Sequence, residues 1–141
     1  DTNYEVENKA AVLLYEDPWG NVAMVFILDE VEDQEENPDG GDFQLSLSGA
    51  AGMDILVYDD IPQEGGNDEW NFNSQTGEGS MQWYWSGCCT DGFALGYLSG
   101  PFCITMNPQA NAGINNIALW ENESFYTNLD PNATFQICST Q

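Results

Sequence analysis

Apolar and polar residues alternate along most of this chain with a period of two, the repeat of a half-buried strand. In the opening segment Tyr4 and Val6 point one way, and Glu5, Glu7 and Lys9 the other. Residues 10–15 and 22–28 are apolar on both faces, the pattern of strands covered on both sides. Asp17-Pro18-Trp19-Gly20-Asn21 is a turn signal that makes the two a hairpin. Period-two segments follow at 43–47 and 53–58, while 70–72 and 81–85 alternate aromatic with polar residues. Residues 93–98, 102–106, 114–120 and 134–138 bring the expectation to about ten strands. Helical periodicity is almost absent. Short strands separated by frequent turn signals predict an all-β chain: an antiparallel β-sandwich, jelly-roll-like, forming one domain over residues 1–141.

Charge changes this picture. The chain has 24 acidic residues, a single base, Lys9, and no histidine. Nineteen acids fall in the first 70 residues, and eight in residues 29–42. Two carboxylates about 4 Å apart near a protein surface repel by roughly 4 kcal/mol. Without internal cations the acids must be splayed into water, partly protonated, or neutralised by ions from outside. A divalent cation, Ca2+ above all, is the expectation that follows, since calcium takes six to eight oxygens on a flexible loop. The candidate ligands are Asp29, Glu30, Glu32, Asp33, Glu35, Asp39 and Asp42. Asp59, Asp60 and Asp91 make a second set. Glu35, Asn37, Asp39 and Gly40 match offsets one, three, five and six of an EF-hand loop, but Ser46 replaces its bidentate glutamate and the flanks read as strands. A solvated acidic loop and a halophile's acidic surface explain the same charge. The net charge of −23 excludes nucleic acid and anionic membrane surfaces as partners. The apolar runs are too short for insertion into a bilayer by a helix.

Cys88, Cys89, Cys103 and Cys138 form an even set without the spacing of a zinc site, so two disulfides are expected. A bond between adjacent residues strains the peptide, which favours pairing Cys88 and Cys89 with Cys103 and Cys138. Disulfides imply an oxidising compartment, hence a secreted, extracellular or cell-surface protein. Sequons at Asn122 and Asn132 fit exposed loops of a glycoprotein. A mature, processed terminus at Asp1 is expected.

With no histidine, no arginine and one lysine, nucleophile–base pairs and phosphate clamps lack their parts, and a non-enzymatic protein is expected. Trp83 and Trp85 share a strand face with Met81; together with Trp120 they offer either a stacking platform for glycans or core. The terminal strand, residues 1–15 with Tyr4, Val6, Ala10, Val12 and Leu14 on one face, pairs in its own sheet or is donated to a neighbour's.

Asp54-Ile55-Leu56-Val57-Tyr58 before an acidic pair, with Trp70 and Trp83–Trp85 after it, resembles secreted bacterial jelly-roll modules. These are the P-domain beside proprotein convertases and calcium-dependent carbohydrate-binding modules. The chain also resembles fibre-forming surface subunits joined by a terminal strand. The resemblance implies a self-assembling extracellular structural subunit, a homopolymer supported by calcium. The alternative it implies is a calcium-dependent carbohydrate-binding or adhesion module.

Overall fold

The computed structural model describes Tyr4 and residues 8–28, 41–58, 68–85 and 91–139, with Tyr58 and Trp85 described in their backbone. Among these residues there are eleven strands and no helix. In chain order they are β1 (Lys9–Glu16), β2 (Val22–Leu28), β3 (Gly41–Ser48), β4 (Asp54–Tyr58), β5 (Glu69–Asn73) and β6 (Glu78–Trp85), then β7 (Asp91–Leu98), β8 (Phe102–Ala112), β9 (Asn116–Glu121), β10 (Ser124–Leu129) and β11 (Phe135–Ser139). They form two sheets. Sheet A has the order β10-β9-β1-β2-β7-β4, and sheet B the order β11-β8-β3-β6-β5.

The hairpin expected between β1 and β2 forms around Asp17. The Asp17 carboxylate accepts from the Trp19 and Asn21 backbone N–H groups and from the Asn21 side-chain amide at 2.8–2.9 Å. These bonds, the side-chain amide foremost, hold its pKa below the ordinary 3.8. Every other strand pair is antiparallel except β1 with β9, which run parallel, so sheet A is mixed. A parallel partner comes from a long connection, here about a hundred residues, and leaves no local pattern. β10 is a strand the alternation did not reveal. It follows a two-residue turn in which Asn122 and Glu123 both take positive φ, 43° and 66°, the geometry of a tight hairpin.

The two inner faces close on one core. Ala10, Val12, Met24, Phe26, Leu28, Phe93 and Leu95 come from sheet A; Phe43, Leu45, Met81, Trp83, Ile104 and Met106 come from sheet B. At its centre Trp83 stacks on Phe26 and Phe93, with centroids 6.1 and 5.8 Å away and planes within 9°. Phe43 and Trp70 close around it, Trp70 edge-on at 5.2 Å. Trp83 therefore spans the gap between the sheets, which pack roughly 10 Å apart.

Cys103 and Cys138 are bonded to each other, and they stand directly opposite in the β8–β11 ladder. This corrects the connectivity expected from sequence. Cross-strand register brings these two together, so neither is available to Cys88 or Cys89, which lie outside the described residues. The bond links residues 35 apart, which stabilises by about 4 kcal/mol in the chain-entropy model.

The terminal strand occupies the middle of its own sheet. Over its described part it pairs with β2 on one edge and β9 on the other, with Ala10 and Val12 fully buried and Leu14 packed against the core. Val6 lies outside the described residues, and Tyr4 packs edge-on against Trp120, 5.2 Å away.

Candidate functional site

Register and aromatic packing bring one set of strand ends to a single pole of the sandwich. In sheet A, Leu28 ends β2 opposite Asp91, which begins β7, and Tyr58 ends β4 opposite Phe93. In sheet B, Gly41 begins β3 opposite Trp85, which ends β6, and Glu69 begins β5 opposite Gln82. The Phe26–Phe43 and Trp83–Phe93 contacts align these ends across the core. Each anchor is fixed from below: Phe26, Phe43, Trp70, Trp83 and Phe93 each sit two residues inside Leu28, Gly41, Asp68, Trp85 and Asp91. An aromatic floor thus sets where the three connections from β2 to β3, β4 to β5 and β6 to β7 leave and re-enter the sheets.

Those connections and their anchors, residues 29–42, 59–69 and 86–91, carry fourteen of the 24 acids. Lys9, the one base, begins β1 at the same pole, because Ala10 pairs with Leu28. The expected ligands Asp29, Glu30, Glu32, Asp33, Glu35, Asp39, Asp59 and Asp60 lie outside the described residues. Asp42 and Asp91 are described, one in each sheet. Asp91 is buried at the start of β7. Asp42 is already engaged: its two oxygens accept from the Gln82 and Asn111 side-chain amides, each at 3.1 Å. Asp68, also buried, accepts from the Tyr84 N–H at 2.9 Å. Among the described residues no group of three or more acids, cysteines or histidines is placed to hold a metal.

The outer faces of the two sheets differ sharply. Sheet B presents rungs of mostly neutral polar side chains, with Glu69 extending the first of them on β5 and Asp42 at the end of β3. Gln82, Gln44 and Gln109 align across β6, β3 and β8, and Ser80, Ser46 and Asn107 form the next rung. Asn71 on β5 extends that second rung. Gln44, Glu69, Trp70, Asn71, Ser80, Met81 and Gln82 line a shallow depression of about 460 Å³. Sheet A presents an apolar outer face, in which Leu13, Val25 and Ala94 align across β1, β2 and β7.

The expected glycan platform is corrected at its centre. Trp83 has 0% exposure and points inward, so no sugar reaches it. Alternation put Met81 and Trp83 on one face but did not say which face was covered. The Trp85 side chain lies outside the described residues. Trp120 is half-buried on the outside of sheet A, between Tyr4 and Phe125. Among the described side chains the most exposed tryptophan is Trp19, at 84%, in the β1–β2 turn.

Both sequon asparagines are exposed in turns and tied down through Oδ1. Asn122 accepts from the Glu16 N–H at 3.3 Å, and Asn132 from the Ala110 N–H at 2.9 Å. The amide nitrogen, which carries the sugar in a glycoprotein, is the other end of each group. No protein-family model matches this chain, and no curated protein matches it.

Proposed function

We propose that this chain is a non-enzymatic extracellular structural module that takes part in a larger assembly and recruits calcium at its acidic pole. The observation that supports it is that the strand ends anchoring three acid-bearing connections meet at one pole above one aromatic floor. Fourteen acids belong to those connections and their anchors, and Lys9 is the one base in the chain. Like charges so placed raise one another's pKa values or draw in cations, and calcium suits oxygen-only ligand sets on loops. The jelly-roll likeness fits the way β2 pairs with β7 and β3 with β6, one pairing nested inside the other. Assembly by donation of β1 is disfavoured by energy, since freeing it breaks two ladders and opens the core. A face is the more economical joint.

Calcium binding is checked by melting the protein with and without chelator at fixed ionic strength. A hundredfold excess of calcium over its dissociation constant stabilises by about 2.7 kcal/mol. For a domain of this size that raises the melting temperature by about 5–10 °C. A melting temperature that follows molar KCl but ignores millimolar calcium would leave only the halophile explanation of the charge.

The outer face of sheet B favours a second reading, a carbohydrate-binding or adhesion module. Its Gln82–Gln44–Gln109 and Ser80–Ser46–Asn107 rungs are uncharged donors and acceptors on a rigid sheet, suited to sugar hydroxyls. Gln44→Ala is expected to abolish any glycan-array signal while leaving the melting temperature within about 2 °C. Binding that survives this change would place the sugar elsewhere.

A further inference from the structure

We infer that the fold brings Lys9 and Asn116 together to form an intramolecular isopeptide bond, a covalent rung between β1 and β9. Neither calcium nor a partner enters this reaction, which goes beyond the assembly reading and stands apart from it.

Lys9 carries the one side-chain amine in the chain. It begins β1, and its direct partner in the parallel ladder is Asn116, which begins β9. Residues opposite one another in a ladder project to the same side, across strands about 4.8 Å apart. Ala10 and Ile117, the next pair, are both at 0% exposure in the core, so Lys9 and Asn116 lie on the outer side of sheet A. The four-carbon stem of lysine is long enough to carry Nζ to the Asn116 amide carbon over that spacing.

The Asn116 amide is set in unusual surroundings. Its Oδ1 is buried and has no hydrogen-bond partner among the described residues. A buried acceptor left unmet is costly, so its persistence asks for a reason. The site is covered although it faces outward: Ala11 and Ala118, the next pair on the same face, are 2% and 8% exposed. Beyond them Tyr4 lies against Trp120. A carboxylate completes the row. Leu129 of β10 pairs with Ile117, so Asp130, the residue after it, comes level with Asn116 on the side away from Lys9. Three neighbouring segments thus set carboxylate, amide and amine in line.

The Lys9 ammonium gives a proton to the Asp130 carboxylate, and the freed lone pair on Nζ adds to Asn116 Cγ. Negative charge then falls on Oδ1. A proton passes from Nζ to Nδ2, the Cγ–Nδ2 bond breaks, and the departing ammonia takes back the proton held by Asp130. One C–N bond forms and one breaks, nothing is oxidised or reduced, and the positive charge of Lys9 leaves as ammonium. The ladder holds amine and amide as neighbours, which supplies the effective molarity that the same reaction lacks between free molecules. Escape of ammonia into water draws it forward.

Mass spectrometry of the whole chain, unglycosylated, unfolded and with its disulfides reduced, tests this. The expected mass lies below the sequence mass by one ammonia. Trypsin supplies a second readout, because Lys9 is the one residue after which it cuts this chain and an acylated lysine is not a trypsin site. The cross-linked chain, though unfolded, should stay in one piece. Lys9→Arg keeps the charge on a group that does not lose its proton, and it should restore the full mass. Asn116→Ala should restore it too, and lower the melting temperature by about 10–15 °C, the worth of a bridge that closes a loop of about 100 residues. Without the bond the sign is opposite, since removing a buried carbonyl that lacks a partner is neutral or stabilising. Asp130→Asn should slow the loss of ammonia from freshly made chain by about a hundredfold, and an unchanged rate removes Asp130 from the reaction. A chain of full mass that trypsin cuts after Lys9 overturns the proposal. So does an ammonia loss that persists in Lys9→Arg, the mark of an asparagine cyclising on its own backbone.

Discussion

Trp83→Ala is expected to lower the free energy of unfolding by about 3–5 kcal/mol, measured by urea denaturation. Trp83 is the largest fully buried side chain among the described residues, and its ring lies between residues of both sheets. Removing it leaves a cavity that five strands border and that none can fill without leaving its ladder. Its Nε1–H has no hydrogen-bond partner among the described residues, so the ring contributes through contact and burial alone. Trp83→Phe therefore keeps most of the packing and should cost less than half as much. The aromatic floor also positions Leu28, Gly41, Asp68 and Asp91, so the alanine variant should weaken the proposed calcium binding in a still-folded sample at low temperature. A loss below about 1 kcal/mol for Trp83→Ala would mean that the sheets are held together elsewhere.

Alternation revealed the strands well because sheet B obeys it strictly. Phe43, Leu45 and Leu47 turn in while Gln44, Ser46 and Ser48 turn out, and β6 does the same with Met81 and Trp83. Residues 10–15 and 22–28 are apolar on both faces, which signalled strands covered twice. Only one side of them is covered by sheet B; the other is the apolar outer face. β10 escaped notice because Ser124-Phe125-Tyr126-Thr127-Asn128-Leu129 begins within a sequon, and its pairing to β9 carries a bulge that breaks the alternation. The parallel β1–β9 pair and the Cys103–Cys138 bond were illegible for a shared reason. Both depend on which distant strands become neighbours, and no local spacing encodes that.

For the candidate site, the acids themselves were plain in the sequence, but the common pole of the strand ends that flank them was not. Asp42, Asp68 and Asp91 are separated by more than twenty residues each, and only the strand order places their strand ends at one pole. Asp42 shows a limit of reading charge alone. It sits on the outer side of β3, where two amides from β6 and β8 reach it, so it is satisfied by neutral donors rather than left waiting for an ion. Trp120, read as part of either a glycan platform or the core, is half-buried and flanked by Tyr4 and Phe125.

Deleting residues 1–16 is expected to leave no folded monomer, as follows if this segment pairs in its own sheet. β1 is hydrogen-bonded along both edges, and its removal separates β9 and β10 from β2, β7 and β4. The core would lose Ala10 and Val12, both at 0% exposure, together with the packing of Leu14, and the inner faces of β2 and β9 would lie open to water. Two unpaired strand edges facing one another across an apolar slot also invite aggregation. Dispersion in a proton NMR spectrum and near-ultraviolet circular dichroism report the outcome directly. A synthetic peptide of residues 8–17, added in excess, should restore both by supplying the missing strand to the same two ladders. Restoration by the peptide shows that the slot is specific for this sequence, as main-chain pairing with alternating inward side chains requires. A truncated chain that unfolds cooperatively without the peptide would show β1 to be dispensable, and would return it to the role of a strand free to join a neighbour.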